Sequence, residues 1–178
     1  MIVRIFSLLT LLAVAPLAGA ADSATDWLMR VNAAARQLDY DGVFVYLRGQ
    51  QLQTMRIVHK LDGQQRRERL ISLTGSPREI IRNNQMVLCY LPDQASVMVE
   101  YRKTQRAGFP AIFPERLAIM EPYYRIRLGG QERVAGRETQ EILIEPRDGL
   151  RYGYRLWADR QTGLLLRSDV IDSQGRML

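Results

Sequence analysis

The chain has one cysteine, Cys89, one histidine, His59, and only two lysines, Lys60 and Lys103, among 25 basic residues. A single cysteine excludes an internal disulfide, and oxidising compartments permit disulfides without requiring them. Cys89 lies within Met86-Val87-Leu88-Cys89-Tyr90-Leu91 and reads as a small buried hydrophobe. A single histidine excludes a His-rich metal site. Set in a strand pattern, His59 reads as a half-exposed strand residue. No serine stands in a G-x-S-x-G elbow. The carboxylates form no tight, apolar-flanked pair suited to general acid/base work. Gly129-Gly130 and Gly149 read as hairpin turns, not as a phosphate cradle. No catalytic residue, metal ligand or cofactor is therefore expected. Internal repeats and low-complexity stretches are also missing, as is any apolar run long enough to span a bilayer.

What is present begins with export. Met1-Ile2-Val3-Arg4 gives a short positive start, and an apolar run from Ile5 to Leu17 follows. Ala18-Gly19-Ala20 then matches the small-residue pattern after which a signal peptidase cuts. Residues 1–20 are read as a cleaved signal peptide, and residues 21–178 as one soluble domain in the periplasm with a core of its own. No cysteine near the junction points to a lipoprotein anchor. The net charge of +6 is carried almost wholly by arginine, whose planar fork suits phosphates and carboxylates. Anionic head groups or an acidic peptide would fit such a charge. A base-composition bias explains the same arginine usage. Nucleic acid is not expected, because the compartment is wrong and no binding motif occurs.

The spacing of Trp27, Leu28, Val31, Ala34, Ala35 and Leu38 predicts a helix with one apolar face, opened by Ser23 and Asp26 as a capping box. Asp41-Gly42 is expected to end it. Strand signals dominate afterwards: Val43–Leu47, Leu52–Lys60, Arg66–Leu73, Glu79–Arg82, Met86–Leu91 and Ser96–Tyr101. In the second of these, Met55 and Ile57 share one face, with Arg56 and Val58 on the other. The stretch 102–122 is different, with Gly108, Pro110, Pro114 and Pro122 set among Phe109, Ile112, Phe113, Leu117, Ile119 and Met120. Proline at that density forbids a central strand and predicts a loop plus a short helix from Pro114. Strands resume at Tyr123–Leu128, Gln131–Val134, Gln140–Glu145, Tyr152–Ala158 and Leu164–Asp172. Asp172-Ser173-Gln174-Gly175 is a turn, and Arg176-Met177-Leu178 reads as the opening of another strand, so the natural sequence is expected to continue. The pattern is mostly β within the α+β class: a curved antiparallel sheet wrapped around a helix.

Two stretches carry a family resemblance. Tyr40–Pro92, containing SPREIIR, resembles the N-terminal domain of MucB/RseB proteins. Pro122–Gly175, containing RDGLRYGYRLW and TGLLLRSDV, resembles its second half. The resemblance implies a half-open β-barrel like that of the carriers LolA and LolB, with helices inside. It implies a periplasmic negative regulator of the envelope-stress sigma factor. Such a regulator binds the periplasmic part of a membrane-spanning anti-sigma factor and shields it from proteolysis. A hydrophobic concavity would sense acyl chains of lipid, lipoprotein or lipopolysaccharide. A homo-oligomer is compatible with it. The C-terminal domain of the family is expected to be absent from residues 21–178. A LolA-like lipoprotein carrier is the alternative reading of the same fold.

An open half-barrel must cover its concave face with something apolar. The helix offers Trp27, Val31 and Leu38, and the proline-punctuated segment offers Phe109, Phe113, Leu117 and Met120. These residues are the candidate lining or lid of a lipid cavity. Mass spectrometry of periplasmic material is expected to find a mature protein beginning at Ala21; exported protein that retains Met1 would overturn the leader assignment.

Overall fold

The structure is a computed structural model that describes residues 22–101 and 119–178. Its helix, α1, spans Ala24–Gln37. Ser23 caps it as the spacing predicts: the Asp26 amide donates to the Ser23 hydroxyl at 3.1 Å, and the Ser23 amide donates to the Asp26 carboxylate at 3.0 Å. These bonds satisfy amides that no helical carbonyl can reach; the Ser23 hydroxyl, donating to the Asp26 carboxylate at 2.7 Å, and then the Ser23 amide hold that carboxyl below its usual range. At the other end Leu38 turns extended while its amide still donates to the Ala34 carbonyl. The expected break at Asp41-Gly42 does not occur there. The helix stops at Gln37, and Asp41 and Gly42 lie inside the first strand. Asp41 is held in place by a two-pronged bond from Arg56 across the sheet.

Among the described residues ten strands follow, all paired antiparallel, in two sheets. The first sheet is a six-stranded meander in sequence order: β1 (Tyr40–Arg48), β2 (Gln51–Asp62), β3 (Gln65–Ser72), β4 (Glu79–Arg82), β5 (Met86–Leu91) and β6 (Ser96–Tyr101). The second is four-stranded: β7 (Tyr124–Val134), β8 (Arg137–Pro146), β9 (Gly153–Asp159) and β10 (Leu165–Ile171). Neither sheet closes on itself among the described residues. The architecture is mostly antiparallel β with one α-helix among the described residues. The short helix expected from Pro114 lies outside the described residues.

Gly129-Gly130 is not a turn. It forms a bulge within one continuous strand, β7, where the register against β8 slips between Leu128 and Gln131. The contact behind it is made across the sheet: a Cβ at Gly129 would collide with the Glu141 side chain, whose carboxylate accepts from the Gly130 amide at 3.2 Å. A bulge tightens twist and bends a strand without ending it. At the far end, Met177 bridges Ile171 and the Leu178 amide donates to the Val170 carbonyl. The 172–175 turn therefore leads into a strand-like return along β10.

α1 lies on the inner face of the four-stranded sheet. Trp27, Leu28 and Val31 pack with Met120, Ile142, Ile144, Leu156 and Ala158 in one buried cluster. A smaller cluster of Met55, Ile57 and Leu70 sits on the six-stranded sheet. The β9–β10 turn is locked against the helix. Gly163, at φ +78°, comes within 3.1 Å of the Arg30 carbonyl, measured from where a Cβ would stand, so both the backbone angle and the space demand glycine.

Asp159 organises that turn. Burial alone would push its carboxyl up. Bonds from Arg137, the Thr162 and Gln161 amides and the Thr162 hydroxyl outweigh burial and leave it at about 2. A folded-state value below the unfolded one stabilises the fold above about pH 4 and is lost as pH falls through about 2. Asp159→Asn is therefore expected to cost about 2 kcal/mol near neutrality, with the gap to wild type closing in acid. Urea unfolding at neutral and acid pH measures it; a gap independent of pH would show that the charge contributes nothing.

Candidate functional site

The candidate cavity residues divide three ways. Trp27, Val31 and Met120 are brought together in the buried cluster between α1 and the four-stranded sheet. The Arg30 guanidinium covers the outer side of that cluster, 4.1 Å above the Trp27 ring, while donating to the Arg160 carbonyl at 3.0 Å. Leu38 is half-buried at the helix C-cap, and its carbonyl meets His59 Nδ1 at 2.8 Å. Phe109, Phe113 and Leu117 lie outside the described residues. Tyr124, Ile126, Leu128, Tyr154 and Leu165 line the same inner face, half-buried, and extend it beyond the cluster.

The inner face of the six-stranded sheet carries two contrasting rows. Strand register aligns Ile57, Leu70, Ile80, Cys89 and Met98 as an apolar row. Cys89 is half-buried in it, not fully enclosed. Two residues along each strand, the next row is polar: Tyr40, His59, Glu68 and Arg82. His59 is only 3 % exposed, and Glu68 only 5 %. The half-exposed histidine expected from the sequence is thus a buried one. Alternation along β2 assigns the face correctly, but it does not reveal that this face is covered.

The polar row is a connected structure. The Tyr40 and His59 rings stack at 4.8 Å between centroids, and Arg82 donates to Glu68 at 3.0 Å. Burial pushes the Tyr40 hydroxyl well above its usual range, and the Glu68 carboxylate adds to the shift. His59 ties the row to the helix end through Leu38, and the Leu61 amide does the same through the Asp39 carboxylate at 2.8 Å. The row was legible in principle. Two-residue loops at 49–50 and 63–64 fix the register that sets Tyr40 beside His59 and His59 beside Glu68.

Apolar side chains remain uncovered at the β1–β2 tip. Val43, Val45, Leu47 and Leu52 share the outer face there, and Tyr46 is exposed on the inner one. Among the described residues β1 and β6 are the edge strands of the six-stranded sheet. β6, the opposite edge, exposes Val97, Met98, Val99 and Tyr101. Among the described residues no cluster of three or more His, Cys, Asp or Glu side chains could hold a metal ion. No described helix is long and apolar enough to cross a membrane.

These features define an α+β scaffold of two open antiparallel sheets, with buried clusters on the inner faces and uncovered edges. The chain belongs to the MucB/RseB family: the profile of the MucB/RseB N-terminal domain matches residues 23–178. It is 36% identical over 164 residues to the sigma factor AlgU regulatory protein MucB of Pseudomonas aeruginosa, covering 92% of this chain and 50% of that protein. To the sigma-E factor regulatory protein RseB of Haemophilus influenzae it is 30% identical over 156 residues, covering 88% and 49%. The chain thus spans about half the length of the curated relatives it matches. Among solved structures, a crystal structure of MucB superposes with a TM-score of 0.69 at 34% identity, over 87% of this chain and 55% of that one. MucB in complex with MucA(peri) superposes at 0.67 with 32% identity, over 86% and 51%.

Two substitutions measure what the buried row contributes. Glu68→Ala leaves the Arg82 guanidinium without its carboxylate and opens space beside His59. The variant is expected to lose about 2 kcal/mol in urea unfolding, whereas Glu79→Ala, at a more exposed pair with Arg69, should lose well under 1 kcal/mol. Equal losses would show that burial of the row is energetically idle.

Proposed function

We propose that this chain is the sensing domain of a non-enzymatic periplasmic regulator that restrains an envelope-stress sigma factor. In this reading it binds the periplasmic part of a membrane-spanning anti-sigma factor and shields it from proteolysis. The observation that carries the proposal is family membership across residues 23–178, together with the likeness to MucB solved in complex with MucA(peri). The leader-like start at 1–20 supports a periplasmic location. Uncovered apolar side chains on β1, β2 and β6 support a binding role, since exposed apolar patches on a folded chain mark interaction surfaces.

The second element of the proposal is an acyl-chain site on the inner face. Trp27, Val31, Leu38 and Met120, with Phe109, Phe113 and Leu117, would line or cover it. Each buried methylene of a lipid or lipoprotein gains about 0.8 kcal/mol, so a few of them offset displaced side-chain contacts. Acyl occupancy would then relieve the hold on the anti-sigma factor.

Calorimetric titration with the purified periplasmic domain of the anti-sigma factor is expected to show binding that weakens as salt rises, because exposed charges are screened over about 8 Å at physiological ionic strength. The bound domain should resist site-specific protease longer than the free one. A brominated fatty acid is expected to quench Trp27 emission in a Trp157→Phe background and to lower affinity for the domain. Absence of binding would overturn the regulator reading; binding without quenching would overturn the acyl site alone.

A further inference from the structure

The outer face of the four-stranded sheet, opposite α1, carries a layered charge arrangement. Arg127 pairs with Glu145 at 2.7 Å, Arg155 with Glu141 at 2.6 Å and Arg167 with Asp169 at 2.6 Å; Arg137 pairs with Asp159. The layers are unequal. Arg155 is 42% exposed over a Glu141 that is 12% exposed, Arg167 is 45% over an Asp169 at 12%, and Arg137 is 49% over an Asp159 at 2%. At these three pairs the carboxylates lie against the sheet under the guanidiniums; at the fourth, Glu145 is 31% exposed beside Arg127 at 51% and is only partly covered. Near-neutral bookkeeping therefore hides a surface whose outermost groups are cationic. Arg125 stands exposed beside them, facing Glu145 across the β7–β8 pair.

These guanidiniums are held, not loose. Arg155 and Arg167 lie 5.0 and 4.3 Å from the Trp157 ring centroid and between them hide the ring, which is 1% exposed. Stacking combined with a carboxylate fixes the plane of each fork before any partner arrives, which lowers the ordering cost of binding. A guanidinium has five N–H donors, and a two-pronged carboxylate bond uses two of them, so donors remain directed outward.

The geometry points to the Arg127–Arg155–Arg167 face as a docking surface for an acidic stretch of polypeptide, whose carboxylates take the outward donors. This deepens the proposed partner role and rests on it, by assigning that partner a surface and a charge. A lipid surface fits less well: the Trp157 ring is buried under the arginines, and the half-buried Leu143 is flanked by Arg127 and Arg155, so this face presents little that is apolar for insertion. Side chains of an extended peptide recur on one side every ~7 Å. Arg155 and Arg167, on neighbouring strands and two residues out of register, stand at a comparable spacing, and Arg127 lies in register with Arg155 two strands away, about 10 Å across the sheet.

The test uses the chain with fluorescein-labelled poly-L-glutamate, read by anisotropy at low and physiological salt. Wild type is expected to bind with salt-sensitive affinity. The Arg155→Lys/Arg167→Lys variant keeps every charge but loses fork and stacking, and should bind about tenfold more weakly, the scale of one charge-assisted hydrogen bond. Arg127→Gln should weaken binding similarly, and Arg78→Gln, by the six-stranded sheet, should not. Equal binding by wild type and both face variants, or none by wild type, overturns the proposal. Binding to phosphatidylglycerol vesicles but not to poly-L-glutamate overturns it in favour of a membrane surface. The anti-sigma periplasmic domain is the parallel probe. If it binds wild type and the face variants alike, this surface is wrong while the partner stands; if it binds none of them, the partner reading falls, and poly-L-glutamate still decides the surface.

Discussion

The packing of Leu28 against Ile142, Ile144, Leu156 and Ala158 is the contact on which much of the remaining geometry hangs. A four-stranded antiparallel sheet must cover one face, and the apolar stripe of α1 supplies the cover. Seating the helix there determines where both its flanks go. On one side the Arg30 backbone meets the β9–β10 turn at Gly163, and Asp159 ties that turn to Arg137. At its C-terminal end, Leu38 and Asp39 are delivered to His59 and Leu61 on β2. One apolar interface thus positions a turn, a cap and the start of the other sheet.

Much of this is legible in the amino-acid sequence. The capping box at Ser23, the helix stripe and most of the strands follow from spacing alone, because both faces of the pattern have a clear period. The failures share a cause. Gly129-Gly130 looks like a turn, but whether two glycines reverse a strand or merely bulge it depends on what faces them, and Glu141 is eleven residues away in the chain. His59 looks half-exposed because alternation shows only which face a residue is on. Asp41-Gly42 looks like a breaker because the partner that steadies it, Arg56, belongs to the next strand. Each misreading concerns a contact made across strands, where local sequence is silent.

The site was less legible than the fold. Trp27, Val31 and Met120 do come together, since a helix face and the entry to a strand are bound to converge on one core. Neither the polar row through His59 and Glu68 nor the guanidinium layer over Trp157 has a motif in the sequence. Both are products of register: hairpin loops of fixed length set the first, and the β8–β9–β10 alignment sets the second. Register is calculable from loop lengths in short hairpins, which makes the first row recoverable in hindsight. The second needs the bulge in β10 between Leu165 and Arg167, which no residue type announces.

The two hydrophobic clusters have a consequence for how the molecule comes apart. Both tryptophans, Trp27 and Trp157, belong to the half built from α1 and the four-stranded sheet, while the Met55–Ile57–Leu70 cluster has none. Tryptophan emission during denaturation therefore watches one half only, and far-ultraviolet dichroism watches both. The smaller cluster has fewer buried side chains to hold it, so a meander that melts ahead of its neighbour would be silent in the first signal and visible in the second. Cooperativity in this chain is a property to be read from two curves together, and the distance between their midpoints measures how firmly Leu38, Asp39, His59 and Leu61 weld the halves into one folding unit.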